Sequence, residues 1–142
     1  MTQIFFYHGA ADKIAAICDL LGKAAAQNKP VLVYAPEPAL AAELDRSLWV
    51  HPPTGFVPHC LADSSLASQT PIVITHSLDQ PPQDERLMNL GREVPPNFSR
   101  FSSLIEVVGE EEEDRRAGRE RARFYKDRGY EVKFIPLGGQ HE

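Results

Sequence analysis

Apolar residues collect along this chain in five short runs: residues 4–7 (IFFY), 31–35 (VLVYA), 72–75 (IVIT), 104–108 (LIEVV) and 132–135 (VKFI). Their length and their branched and aromatic content predict strands. Several are apolar without interruption, the pattern of strands covered on both faces. Between the first two, Ile14, Ile17, Cys18, Leu21 and Ala25 recur at helical spacing, with Lys13, Lys23 and Gln27 opposite, which predicts an amphipathic helix within 10–28. Leu40, Leu44 and Leu48 step by four after Pro38 and predict a second helix ending near Trp49. Residues 76–100 are polar and broken by prolines, with room for a helical turn around 85–90. A long charged helix follows to about Arg128, with Gly129 as its C-terminal cap.

Strands alternating with helices have the rhythm of right-handed βαβ units. The expected architecture is a single three-layer α/β/α domain over residues 1–142 with about five strands, mostly parallel. A chain of 142 residues with 42% hydrophobic and 25% charged content fits one folded domain, since no linker composition divides it. Neither a basic leader nor a long apolar run is present, so a cytoplasmic protein with no membrane contact is expected. Cys18 and Cys60, the only two cysteines, read as reduced thiols.

Such a fold invites nucleotide binding, but the first strand runs into YHGAADK, and neither GxxxxGK[ST] nor GxGxxG occurs. The expectation is a Rossmann-like sheet without a phosphate loop and without a cofactor. His8 sits at a C-terminal strand end, where open α/β sheets place ligands, and is either a functional contact or a plain turn residue. His51, His59 and Cys60, with Asp63 nearby, lack the spacing of a metal site. His59 beside Cys60 makes a poor base and nucleophile because adjacent side chains point apart. No catalytic residue and no metal ligand is therefore assigned. Two alternatives to a docking protein stay open: a small enzyme built on His8, His59 and Cys60, or a direct nucleic-acid-binding module.

Two segments suit docking. The stretch LWVHPPTGFVPHCLA, residues 48–62, holds the only tryptophan together with three prolines, and stiffened aromatics lose little entropy on binding. Whether Trp49 and Phe56 serve a core or an interface is open on spacing alone. The second segment is charged: residues 110–114 read EEEED, and 115–128 hold seven of the fifteen basic residues. Acids at the N-terminus and bases toward the C-terminus suit the helix dipole, with Glu111–Arg115 and Glu112–Arg116 as expected i,i+4 pairs. Residues 110–128 carry seven acids and seven bases, a poor phosphate track within a chain of net charge −5. Arg115, Arg119, Ala122 and Lys126 nevertheless share one stripe with Arg123 beside it, which suits a carboxylate next to an apolar side chain. An acidic peptide ending in a free carboxylate beside an aromatic residue is one such ligand.

The run LW-x-x-P-x-x-x-F-V-P-H, here Leu48, Trp49, Pro52, Phe56, Val57, Pro58 and His59, resembles the signature of the chi subunit of bacterial DNA polymerase III holoenzyme. The opening IFFY, the VLVYA strand and the R-E-R-A-R-F-Y-K-x-x-G-Y helix are similar to that family too, so the likeness covers nearly the whole chain. It implies a non-enzymatic replication accessory protein with two partners. One is the psi subunit, held one to one and leading indirectly to the clamp loader. The other is the acidic C-terminal tail of single-stranded DNA-binding protein. On the family pattern Trp49, Pro52, Phe56, Val57 and Pro58 face psi, and Arg115, Arg119, Arg123, Phe124 and Lys126 hold the tail. Little or no direct nucleic-acid binding is implied. Ala122 stands where the family leads one to expect an aromatic, so either Phe124 or Tyr125 supplies the apolar wall or the tail is held more weakly, and EEEED puts negative charge beside the proposed pocket.

Overall fold

Strand and helix alternate as the apolar pattern requires. In the computed structural model, which describes residues 1–50 and 57–137, the order is β1 (Gln3–Ala10), α1 (Lys13–Ala26), β2 (Val31–Tyr34), α2 (Pro38–Trp49), β3 (His59–Leu61), β4 (Ile72–Thr75), β5 (Arg86–Asn89), β6 (Ser103–Gly109), α3 (Glu112–Asp127) and β7 (Val132–Pro136). Asp12 begins α1 by accepting the Ala15 amide at 3.1 Å, satisfying a donor that the first helical turn leaves over. Pro38 opens α2, where its missing N–H costs nothing.

All strands pair in parallel, in the order β3-β4-β2-β5-β6-β1-β7. Burial on both faces explains the unbroken apolar runs. Val31, Val33, Ile72, Ile74 and Met88 point to one face, against Ile17, Cys18 and Leu21 of α1 and Leu44 and Leu48 of α2. Ile4, Phe6, Leu32, Leu87 and Leu104 point to the other, against Ala122 and Tyr125 of α3. Leu78 and Phe98, from the proline-broken stretch, and Phe101 just after it complete this second layer; Phe98 stands edge-on to Tyr125 at 5.2 Å and tilted to Tyr130 at 5.3 Å.

The sheet thus has seven strands where five runs are conspicuous in sequence. β5 lies where a helical turn at 85–90 is expected: Arg86–Asn89 instead inserts between β2 and β6, with Leu87 and Met88 buried on opposite faces. Only those two of its four residues are apolar, so local composition does not announce it. β3 is a three-residue edge strand, too short to leave a pattern.

β1 and β6 are neighbours, yet α1 leaves β1 toward one face and α3 leaves β6 toward the other, a topological switch point. Asp114 fastens the two helix starts there. Its carboxylate accepts the Gly109 amide at 2.7 Å and the Lys13 ammonium at 2.9 and 3.0 Å. Burial alone would raise the Asp114 carboxyl; the Gly109 amide and Lys13 outweigh it and hold it below the usual aspartate range.

Candidate functional site

α3 begins with Glu112, Glu113 and Asp114 in its first turn and has Lys126 in its last, in accord with its dipole. Gly129 ends it at φ +87°, a conformation that costs glycine little, and the Tyr130 amide donates back to the Tyr125 carbonyl at 3.1 Å. Its buried face is Gly118, Arg121, Ala122 and Tyr125.

An arginine and a tyrosine on that face need partners, and β6 supplies them in Glu106. Arg121 Nε donates to Glu106 Oε1 at 3.0 Å, while Tyr125 Oη and Asn89 Nδ2 donate to Oε2 at 2.6 and 3.1 Å. Arg121 Nη1 also reaches the Arg92 carbonyl at 2.8 Å. Burial pushes the Glu106 carboxyl above its usual range, against the pull of Arg121, Tyr125 and Asn89. With three donors converging on two acceptor oxygens, the geometry is that of a carboxylate. Burial, then Glu106, pushes the Tyr125 phenol up as well. This network turns one of the seven bases away from solvent. Glu106, a lone acid inside LIEVV, is the sequence signal that could have disclosed it.

The opposite flank of α3 forms one wall of an open groove of about 640 Å³ with β1, β6 and β7. Phe6, Val108, Gly118 and Ala122 give it an apolar lining, while Arg115, Arg119, Arg123 and Lys126 give it positive charge. Phe134 of β7, 48% exposed, is its aromatic wall; its ring lies 5.6 Å from Phe6, and Lys126 Nζ stands 4.8 Å from its centroid. Four of the five residues expected to hold a tail line this groove. Phe124 does not: it packs on the other flank, edge-on to Phe98 at 6.5 Å and under the Arg128 guanidinium at 3.7 Å. Tyr125 is buried in the Glu106 network. The apolar wall therefore comes from a different element than the helix, because strand parity carries Phe134 to the same side as Phe6.

The expected i,i+4 pairs do not form. Glu111 is the N-cap with extended backbone, which takes it off the helical surface. Glu112 instead lies 3.9 Å from Arg115 and 3.4 Å from Arg119, so the acidic run neutralises part of the groove's N-terminal end.

The aromatic stretch divides. Trp49, 56% exposed, ends α2 and stands edge-on to the His59 ring at 5.7 Å. Pro58 and Leu61 are exposed near it, at the sheet edge. Val57 is not a surface residue: it is buried in the core beneath α1 and α2, its amide donating to the Leu48 carbonyl at 2.8 Å. Pro52 and Phe56, and His51 between Trp49 and them, lie outside the described residues.

A site combining His8, His59 and Cys60 loses its geometry. His59 faces two acceptors, the Val57 carbonyl at 2.6 Å and Asp45 Oδ1 at 2.8 Å, so its ring nitrogens are both engaged. His8 stands on β1, five strands along from β3 with His59 and Cys60, about 24 Å at ordinary strand spacing. One active site cannot include all three. Cys18 is buried, and burial with Asp19 and Asp12 pushes its thiol up to about 11, which suits an inert core residue. Among the described residues no three His, Cys, Asp or Glu side chains are grouped to hold a metal, and no helix is long and apolar enough to cross a membrane.

A profile of the family described as DNA polymerase III chi subunit, HolC, matches residues 1–133. The chain is 34% identical over 139 residues to DNA polymerase III subunit chi of Pseudomonas aeruginosa, covering 94% of this chain and 95% of that one. It is 29% identical to the Haemophilus influenzae protein of the same name, over 85% of each chain. The Escherichia coli protein is 24% identical over 82% of this chain and 80% of its own. Among solved structures it is similar to Mss116p DEAD-box helicase domain 2 bound to an RNA duplex, at a TM-score of 0.66 and 15% identity, covering 99% of this chain and 66% of that one. At that identity the likeness is one of fold.

Proposed function

The chain belongs to the DNA polymerase III chi-subunit family, a replication accessory subunit, and we propose that it acts without catalysis as a bridge between two proteins. One partner is the acidic C-terminal tail of single-stranded DNA-binding protein, taken up in the groove between α3 and β7. The other is the psi subunit, held by the proline and aromatic stretch around Trp49 and leading to the clamp loader.

The observation that carries this reading is the union of Arg115, Arg119, Arg123 and Lys126 with Phe134 over an apolar floor. Guanidinium groups fork onto a carboxylate, and the floor of Val108 and Ala122 accepts the apolar side chain beside it. Contacts of this kind are largely electrostatic and weaken with salt. Burial of an aromatic against Phe134 is far less sensitive. A bridge between a clamp-loader partner and protein-coated single strands raises the local concentration of the polymerase assembly without any chemical step.

Isothermal titration of the full chain with a synthetic acidic peptide ending in phenylalanine tests the groove. The free-carboxylate peptide is expected to bind. Its C-terminal amide and the R119E variant are expected to lose at least tenfold in affinity, the effect of about 1.4 kcal/mol. Equal binding of acid and amide, or unchanged affinity in R119E, would remove this site.

A further inference from the structure

We infer that His8 is a ligand-contacting member of the groove whose protonation tightens capture of a carboxylate-bearing peptide, so that binding strengthens as pH falls through the histidine range. This rests on the proposed use of the groove for such a peptide. His8 is in phase with Ile4 and Phe6 on β1 and so emerges on the α3 face, where β1 shifts register against β6 between Tyr7 and Ala10. Gly9, at φ +79°, lies within that irregularity, and the His8 carbonyl accepts the Leu137 amide at 2.8 Å. The backbone under the ring is therefore fixed from both sides. The ring itself stands edge-on to Phe134 at 6.4 Å, and among the described residues neither of its nitrogens has a hydrogen-bond partner. It contrasts with His59, whose ring nitrogens both face acceptors.

Among the described residues, the charged groups lining the groove with His8 all come from α3: the four cations already named and the Asp127 carboxylate. From β7 it meets the Phe134 ring, and from β6 the only nearby titratable group is Glu106, turned away into its network with Arg121. Arginine, lysine and aspartate keep their charge from about pH 5.5 to 8, and so do the carboxylates of the peptide. Histidine is the ordinary side chain that changes charge in that window. The sign follows from linkage. A carboxylate bound beside an imidazole interacts more favourably with its protonated form, so the extra affinity belongs to the charged ring and is lost as pH rises through the histidine range.

Fluorescence anisotropy with the same labelled free-carboxylate peptide, at about pH 5.5 and about pH 8 and one fixed ionic strength, tests this on the full chain and on H8N. Wild type is expected to bind about two- to fivefold more tightly at the lower pH, the range one added exposed charge supplies. H8N is expected to show a pH ratio smaller than wild type by that factor, with H8Q as a second variant read in the same way. Glu106 is present in every protein compared, so its titration cancels. Equal pH ratios in wild type and the His8 variants overturn the role of His8 while leaving peptide capture by the groove standing. Absence of binding by wild type at both pH values overturns the proposed function, and the role of His8 falls with it.

Discussion

Gly118 of α3 lies against Val108 of β6 so closely that a β-carbon on the glycine would stand 2.8 Å from Val108 Cγ2. The same contact sets the depth of the groove, since both residues line it. G118A gains about 1 kcal/mol of helix propensity but forces a valine branch or the helix itself to move, at about 1–3 kcal/mol. The net expectation is a lower melting temperature and weaker peptide binding, both measured on the same preparation.

Phe134 and Phe124 separate the structural assignment of the aromatic wall from the sequence-based one. F134A is expected to weaken peptide binding about tenfold, as removal of an aromatic anchor does. F124A removes a ring that packs against Phe98 and Arg128 and is expected to lower stability with peptide affinity within about twofold. Calorimetry on the two variants checks both; a larger affinity loss in F124A would reverse the assignment.

Removing Arg121 leaves Glu106 buried without its counter-ion. R121M is expected to lose about 3–5 kcal/mol in urea unfolding near neutral pH. Burial already raises the Glu106 carboxyl, and without Arg121 that rise grows. A folded-state carboxyl pKa above the unfolded value means the native state binds the proton more tightly, so acidification restores part of the loss. Unfolding curves for R121M at about pH 7 and about pH 5 are therefore expected to show higher stability at the lower pH, relative to wild type.

At the proposed psi face, Trp49 and Val57 predict opposite behaviour. W49A is expected to lose co-purification with the psi subunit while its melting temperature stays within a few degrees of wild type, because the indole is more than half exposed. V57A opens the core beneath α1 and α2 and is expected to cost about 1–3 kcal/mol of stability. Pull-down and thermal denaturation, performed in parallel, check the pair.

Sequence periodicity alone determined the α/β class, the three long helices, five of the seven strands and the Gly129 cap, because each follows from spacing along the chain or from one residue's backbone freedom. It also determined that α3 would display a stripe of Arg115, Arg119 and Lys126, since a helix places residues four apart on one face. β3 and β5 were illegible: their strand character comes from the neighbours they pair with, and four residues such as RLMN carry no period of their own. What lay beyond the helix was decided only by tertiary structure. The pairing of β7 with β1 brings Phe134 and His8 to the cationic stripe from 126 residues apart in the chain. The packing of α3 on β6 turns Arg121 inward to Glu106, while Phe124, on the other flank of the helix, packs with Phe98 and Arg128. Local sequence specifies which faces exist; which side chains meet across them depends on strand order, and strand order is set by long-range burial.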